Sequence, residues 1–319
     1  MTQDSPAALA APLLDAASLL DHAGLDLEAA HRITYRVEQR FRYTYDAPVT
    51  SLSQRLVMVP RSRHGDVHRR AHVMEVIGTQ ARRRTRQDSA GNTVVQVKAA
   101  RVEHSVEFRV VAVLECIRRS GQPVLPASAL HNLRLRRPTR LTAADDRLRA
   151  MAADLLRPGG GPLDVAERIC AAVHTTLTYQ HGITNVGTTA AEAVAAGRGV
   201  CQDAAHIMVA LCRLAQLPAR YVSGHLLGQG GTHAWVEVIV PHRDAAIAVP
   251  FDPSHGRRTD SHYLTVAVGR DYADVAPTSG TYVGPSGGRL TGTRRVGVVS
   301  VDTRFRSRPA ARGAVSRAE

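Results

Sequence analysis

The chain has 319 residues, 44% of them hydrophobic, which is long enough for two domains with their own cores. It has no apolar run near the roughly 20 residues that span a bilayer, and residues 1–20 lack the basic segment of a secretory signal, so a cytoplasmic protein without a membrane span is expected. The net charge of +13 comes almost entirely from arginine and only 4% of residues are aromatic; because base stacking needs aromatic rings, specific binding of nucleic acid is not predicted.

Residues 1–30 form an N-terminal extension rich in Ala and Leu, for which a short docked helix and a loose segment both remain open. From Ile33 onward, apolar and polar residues alternate with the period of a β-strand. The same period recurs over 52–59, 72–77 and 93–98, and then along Val102–Cys116 with His104 on the apolar side. Residues 31–140 are therefore predicted to be an antiparallel β domain followed by its linker.

Helical periodicity begins after Thr142 and predicts three helices before residue 197, the third opening with the capping-box pair Thr189 and Glu192. A fourth helix starts at Cys201 and runs to Leu217, and strand patterns follow, continuing to about residue 301. Helices followed by antiparallel strands predict an α+β core over residues 141–302. Residues 303–319 are predicted to form a loose basic tail.

The setting of Cys201 is unusual among the four cysteines. Gly197 and Gly199 supply a turn before it, which puts its thiol in the first turn of a helix. The amides there have no partner within the helix, so thiols at such positions ionise more readily than a free thiol, whose pKa is about 8.5. The other three cysteines lie in apolar runs and are predicted to be buried hydrophobes: Cys116, Cys170 and Cys212.

An imidazole and a carboxylate follow at the boundaries of later strands. His233 starts a strand after a glycine loop, and Asp252 ends the next strand. Alternation leaves His233, Trp235 and Glu237 on the face opposite the core, where a cleft against the cysteine helix is expected. A thiolate, an imidazole and a carboxylate are the three parts of an activated nucleophile. The sequence therefore predicts a catalytic triad of Cys201, His233 and Asp252.

The surroundings of this triad are less well defined by sequence. The backbone N–H of Cys201 is the expected first oxyanion donor, Gln202 and Tyr179 are candidates for the second, and Trp235 either shields an intermediate or packs. Farther along the cysteine helix, Asp203 and His206 match no zinc-ligand spacing, which favours buried hydrogen-bonding roles. No metal and no other cofactor is predicted.

Several stretches together resemble the bacterial transglutaminase-like family, a branch of the papain-like thiol enzymes. They are GVCQDAAH at 199–206, PARYVSG at 218–224, HAWVEV at 233–238, FDP at 251–253 and VAVGRDYADV at 266–275. The segment from Ile33 to about residue 60 resembles the β-rich N-terminal domain that accompanies this core. Position by position, the resemblance implies Cys201 as nucleophile, His233 as base and Asp252 as orienting acid.

Two positions depart from the family pattern. Ala204 stands where an aromatic residue is usual, and Ser254-His255 replaces Thr-Asn after the Asp-Pro pair. Both departures lie outside the triad, so they bear on the shape of the pocket and on substrate range.

The implied reaction is acyl transfer on a peptide or isopeptide bond through a thioester, with a peptide or protein as substrate. Resolution of the thioester by water gives a peptidase or amidase, which the interpretation favours, whereas resolution by an amine gives a cross-linking transglutaminase. The competing hypothesis is a peptide- or protein-binding module on the same fold with an idle triad. The oligomeric state is not predicted.

Overall fold

The structure, a computed structural model, describes residues 18–118, 121–285 and 287–303. Residues 1–17, for which the sequence leaves a docked helix and a loose segment open, lie outside these ranges, as does the predicted basic tail beyond residue 303. The described part of the extension contains turns and a β-bridge between Leu20 and Val298. Leu27 and Ala30 are buried against the strands that follow, so this part of the extension packs on the body of the protein.

Seven strands come first along the described chain. They are β1 (Arg32–Thr44), β2 (Val49–Leu56), β3 (Arg63–His64), β4 (Val67–Ile77), β5 (Arg82–Gln87), β6 (Thr93–Val102) and β7 (Ser105–Ile117). The helices that follow are α1 (Leu133–Arg136), α2 (Asp146–Leu156), α3 (Pro162–Thr176), α4 (Ala190–Ala196), α5 (Cys201–Leu214) and α6 (Tyr272–Val275). The remaining strands are β8 (Val124–Pro126), β9 (Thr178–Tyr179), β10 (Arg198–Gly199), β11 (Ala219–Leu226), β12 (His233–His242), β13 (Ala245–Asp252), β14 (Arg257–Arg258), β15 (Tyr263–Gly269), β16 (Thr278–Val283) and β17 (Arg289–Asp302).

The N-terminal part is a pair of antiparallel sheets packed face to face. One sheet has the order β17-β1-β7-β4-β3 and the other β16-β2-β6-β5. Their inner faces meet in an apolar core that includes Leu52, Val97 and Phe108. This packing explains the alternation that begins at Ile33, because every second side chain of β1 points into a core.

The predicted single strand over Val102–Cys116 is wrong in one respect. β6 ends at Val102 and β7 begins at Ser105 in the other sheet, with a bend between them that leaves His104 exposed. Both strands direct apolar side chains into the shared core, so the period of two continues across the bend and the pattern conceals it.

The C-terminal part places helices against a sheet of order β14-β13-β12-β11-β15. α5 lies across this sheet and buries Ile207, Met208 and Leu211 against it, and the other long helices pack around α5. The predicted capping box at Thr189 and Glu192 is confirmed at the start of α4. α5 ends at Leu214, three residues before the predicted end. No helix among the described residues has the length and apolarity to cross a membrane.

Three strands have pairing partners that the sequence did not predict. β16 and β17, predicted as strands of the core, pair instead with β2 and β1 of the N-terminal sheets. β8, in the predicted linker, pairs with β13, and Leu125 and Ala129 beside it pack on Ala248 of the core sheet. A period of two identifies a strand but carries no information about its partner, so alternation alone could not show that residues 278–302 pair with strands of the N-terminal sheets.

Candidate active site

The loop before α5 and the first turn of that helix place Cys201. Val200 is the extended N-cap residue, and its backbone N–H donates to Oδ2 of Asp203 at 2.8 Å. The same oxygen accepts a hydrogen bond from Thr184 at 2.7 Å, which ties a preceding loop to the helix. Gly197 ends α4 with φ of 63°, a left-handed conformation that lets the chain turn directly into this start. Cys201 is therefore held at a braced helix N-terminus and is partly exposed.

His233 and Asp252 meet across two paired strands. β12 and β13 are antiparallel with Val236 opposite Phe251, so the first residue of β12 comes close to the last residue of β13. Nε2 of His233 lies 2.7 Å from Oδ2 of Asp252. The two residues are 2% and 0% exposed, which shields this hydrogen bond from competing water.

Asp252 is the acceptor for a cluster of donors. Its Oδ2 accepts from His233, from the Tyr263 hydroxyl and from Nδ1 of His255, each at 2.7 Å. Its Oδ1 accepts from the backbone N–H of Ser254 at 2.9 Å. Burial alone would raise the pKa of Asp252, but the donors, with His233 foremost, bring its pKa below the ordinary value. The group is therefore a carboxylate at neutral pH.

The second nitrogen of His233 is left for Cys201. The thiol interacts with the His233 ring, and since Nε2 is used by Asp252, Nδ1 is the nitrogen available to it. Nδ1 has no hydrogen-bond partner among the described residues, so it is free to receive one. Burial lowers the pKa of His233, but the hydrogen bonds and charges of Asp252 and Cys201 outweigh it and raise the pKa to about 9. An imidazolium beside a thiol is the electrostatic setting that favours a thiolate.

The three weaker candidates have different surroundings. The Tyr179 hydroxyl interacts with both the thiol and the backbone N–H of Cys201, because β9 pairs with β10 just before α5. The side-chain amide of Gln202 donates to the carbonyl of Asn185 at 3.4 Å, toward a neighbouring loop. Trp235 is 1% exposed and packs against the His233 ring, which supports the packing role left open for it. Of the three, only Tyr179 reaches the thiol.

The expected cleft between α5 and the outer face of β12 is not present in the described structure. α5 packs on the face that carries Val236, whereas Trp235 and Glu237 face the N-terminal sheets, where Oε1 of Glu237 lies 2.6 Å from Nε2 of His64. Both faces of β12 are covered by other parts of the protein. The alternation of the sequence assigns side chains to one face or the other, but it does not show which element packs on each face. His233 reaches Cys201 because it stands at the end of the strand.

The buried polar residues of α5 have the hydrogen-bonding roles predicted for them. Asp203 caps the helix, as described above. Nε2 of His206 accepts from the backbone N–H of Tyr272 at 3.2 Å. Burial lowers the pKa of His206 to about 4, so its ring is neutral at pH 7.

One group within the described ranges has the spacing of metal ligands. Atoms of His233, Asp252 and His255 lie within 4.8 Å of one another. These same atoms hydrogen-bond to each other, and two imidazole N–H groups directed at one carboxylate satisfy it without an ion. These hydrogen bonds explain the cluster without an ion, and the predicted absence of a metal stays a prediction.

The remaining cysteines behave as small hydrophobes. Cys170 and Cys212 are buried and Cys116 is partly buried, and all four cysteines are free. Burial is the main cause that raises the pKa of the Cys116 thiol to about 11 and those of Cys170 and Cys212 to about 12. The structure thus confirms the predicted burial of Cys170 and Cys212, whereas Cys116 is only partly buried.

Sequence reasoning missed the donor roles of two residues. His255 follows Asp252 by three positions, a spacing at which a turn can fold one side chain back onto the other, so a local signal existed. Tyr263 comes from β15 and reaches Asp252 only through the tertiary fold, so no local signal existed for it.

A thiol at a helix start, an imidazole at a strand start and an acid at the end of the paired strand define a thiol-enzyme-like site on an α+β fold. Two family descriptions match this chain: the transglutaminase-like superfamily core over residues 149–253 and the bacterial transglutaminase-like N-terminal region over residues 35–115. Residues 149–253 are therefore a transglutaminase-like superfamily core and residues 35–115 the bacterial N-terminal region that accompanies it, as the resemblance implied.

Similar proteins span most of the chain. An uncharacterized protein of Mycobacterium tuberculosis is 28% identical over 284 residues, covering 80% of this chain and 89% of the relative. One from Mycobacterium leprae is 26% identical over 265 residues, covering 78% and 93%. A crystal structure of a candidate cysteine protease from Cytophaga hutchinsonii is similar in fold, with a TM-score of 0.67 and 20% identity over 86% of this chain and 92% of that one. The predicted α+β class, a β-rich N-terminal part followed by a papain-like, transglutaminase-like core, is thereby confirmed.

Proposed function

We propose that this protein is a cysteine-dependent acyl-transfer enzyme that acts on peptide or isopeptide bonds as a peptidase or amidase. The observation that carries the proposal is the 2.7 Å hydrogen bond from His233 to Asp252, which leaves the other ring nitrogen for Cys201. This arrangement supplies a nucleophile, a base and an orienting acid.

In the first half of the reaction, Sγ of Cys201 attacks the amide carbonyl carbon and the carbonyl electron pair moves onto oxygen. The backbone N–H of Cys201 and the Tyr179 hydroxyl, both beside the thiol, stabilise this oxyanion. The C–N bond then breaks as the leaving amine takes a proton from Nδ1 of His233. In the second half, water attacks the thioester, returns a proton to His233 and releases the acid and Cys201.

Solvent access favours water as the second nucleophile. Tyr179 is 49% exposed and the His255 side chain is 38% exposed, so the site is open on this side. Trp235 is buried against the His233 ring, on the inner side of the site. A thioester formed here would meet bulk water, which supports hydrolysis over transfer to an amine.

A peptide is the substrate class that the surroundings fit. The loop at residues 183–188 is attached to α5 through Thr184 and Gln202. It leaves Ile183 43% and Val186 61% exposed beside the nucleophile. Exposed apolar side chains next to a reactive group provide contact surface for apolar side chains of a substrate.

The direct test is to trap the acyl group on Cys201. The full chain is incubated with cell lysate, and the peptide that contains Cys201 is examined by mass spectrometry. His233→Gln is included as a second control and should form little adduct, because it cannot supply the proton that the leaving amine takes. The proposal expects an acyl mass on Cys201 and release of amine, both absent in Cys201→Ala. Equal amine release by wild type and Cys201→Ala, with no adduct, would rule out the acyl-transfer enzyme and favour the peptide- or protein-binding module.

A further inference from the structure

A cleft separate from the triad lies between the N-terminal sheets and the core sheet. Its volume is about 720 Å³, within the roughly 300–1,000 Å³ typical of small-molecule sites. Strand β2, the turn at residues 88–90, helix α1 and strands β11 and β15 all contribute to its walls. None of the described residues that line it belongs to the triad.

The walls carry an excess of positive charge. Five arginines and two aspartates line the cleft, a surplus of three positive charges: Arg55, Arg61, Arg134, Arg220, Arg270, Asp88 and Asp274. Arg270 pairs with Asp274 at 2.8 Å, and Arg55 lies 3.9 Å from Asp88. Arg220 pairs with buried Glu237 at 2.6 Å, which lies outside the lining and lowers the surplus to two. Within the described part of the chain, Arg61 and Arg134 have no carboxylate partner.

These two arginines flank one turn. Nη1 of Arg61 donates to the carbonyl of Ala90 at 2.5 Å and to Oδ1 of Asn92 at 3.0 Å, which fixes the guanidinium in place. Its Nε is buried and has no hydrogen-bond partner among the described residues. From the opposite wall, Nη1 of Arg134 donates to Oγ of Ser89 at 3.3 Å. The two cations thus contact neighbouring residues of the same turn.

The Arg61 cation is poorly compensated where it stands. Burial lowers the pKa of its guanidinium, and the positive charge of Arg220 lowers it further. An anion bound between the two walls would offset both effects. The cleft also has an apolar side, formed by Leu125, Ala129 and Val268, which suits a ligand with an apolar body.

We propose that this cleft binds a small organic phosphate, a phosphate monoester attached to an apolar group, through Arg61 and Arg134. A planar guanidinium matches the oxygens of a phosphate in a two-pronged hydrogen bond. The two negative charges of the monoester equal the surplus of two on the walls, whereas a single carboxylate would leave one cation uncompensated. The proposal is independent of the proposed acyl-transfer chemistry.

The test is isothermal titration calorimetry of the full chain with phenyl phosphate. Saturable binding is expected, weaker for inorganic phosphate because it lacks an apolar body, and weaker for benzoate because it carries one charge. Arg134→Gln should weaken phenyl phosphate binding about tenfold or more, the usual effect of losing a charged hydrogen bond. Arg84→Gln on exposed strand β5 is the matched control and should bind as wild type does.

Several outcomes would overturn the proposal. They are no saturable heat up to about 10 mM phenyl phosphate, equal weakening by Arg84→Gln, or benzoate binding as tightly as phenyl phosphate. Arg134→Gln decides the test because Arg61 also holds the turn at residues 88–92 and its loss could unfold that turn. Cys201→Ala should bind phenyl phosphate unchanged, which separates this result from any failure of the acyl-transfer proposal.

Discussion

Asp252 is fixed by donors from three parts of the chain. His233, His255 and Tyr263 all donate to the same carboxylate oxygen, from β12, the turn after β13 and β15. A carboxylate held from three directions cannot rotate away from the imidazole without breaking several hydrogen bonds. At the scale of residues, His255 and Tyr263 are therefore positioning residues that act on the base through Asp252.

The first prediction concerns His255. His255→Ala should lower kcat by about tenfold with KM little changed, because it removes one charge-assisted donor from Asp252 and no contact with substrate. His255→Asn should recover much of the loss, since an asparagine amide can donate from the same position. Steady-state kinetics of amine release measures both variants, and an asparagine variant as impaired as the alanine variant would contradict the positioning role.

The second prediction is a pH dependence of stability. The pKa of His233 is raised from 6.5 to about 9 in the folded protein, so folding favours its protonated form. The resulting stabilisation is fully present below pH 6.5 and is lost as the pH rises through about 9. Urea unfolding across this window should show a steeper loss of unfolding free energy in wild type than in His233→Gln. Parallel losses in the two proteins would show that His233 is not the group responsible.

At the scale of elements, the strand beside the base depends on a glycine. Gly224 of β11 pairs with His233 of β12. A Cβ atom at this position would lie 2.2 Å from the carbonyl oxygen of Leu264 and 2.4 Å from the ring of Trp235. Only a residue without a side chain lets β11, β15 and the tryptophan come this close.

The third prediction follows from this contact. Gly224→Ala should lower the free energy of unfolding by about 3 kcal/mol, because backbone or a buried ring must move to admit the methyl group. Gly230→Ala is the matched control: its Cβ would meet nothing within 4 Å, and a change within about 0.5 kcal/mol is expected. Chemical denaturation of both variants is the measurement, and equal stabilities would contradict the packing argument.

Local features of the site were predictable from sequence, and features that need distant partners were not. The helix start at Cys201 and the capping box at Thr189 depend on residues a few positions apart, so their patterns are visible in the chain. Tyr263 reaches Asp252 only after β15 has joined the sheet. The pairing of β17 with β1 joins residues more than half the chain apart, which no local period encodes.

At the scale of the whole molecule, a buried ion cluster links the N-terminal sheets to the core. Glu237 is 1% exposed and lies 2.6 Å from both Arg220 of β11 and His64 of β3. Burial would raise the pKa of Glu237, but the charge of Arg220 and the His64 hydrogen bond lower it to about 2. The carboxylate is therefore ionised, and both its partners depend on it.

The fourth prediction compares this cluster with a surface pair. Glu237→Gln should lower the free energy of unfolding by about 3–5 kcal/mol, since it leaves the Arg220 cation without its buried counter-charge. Glu167→Gln breaks an ion pair with Arg258 in which both side chains are about half exposed, and should cost no more than about 1 kcal/mol. Urea unfolding of the two variants is the comparison, and similar losses would contradict a structural role for the cluster.

Other properties of the whole protein stay predictions from the sequence: a cytoplasmic location, a peptide or protein substrate and no specific nucleic-acid partner. Composition and charge supply the location and the nucleic-acid prediction, whereas the substrate class is what the family resemblance implies. Fractionation of cells and a filter-binding assay with nucleic acid at several salt concentrations would test the location and the nucleic-acid prediction.

The most direct measurement of the central claim is the rate at which iodoacetamide alkylates Cys201 as a function of pH. An activated thiol beside His233 should react at neutral pH faster than a free thiol of pKa about 8.5, and His233→Gln should remove that advantage. The other thiols provide the internal reference, since burial raises the pKa of Cys116 to about 11. A Cys201 that reacts no faster than a free thiol, with or without His233, would contradict the proposed mechanism.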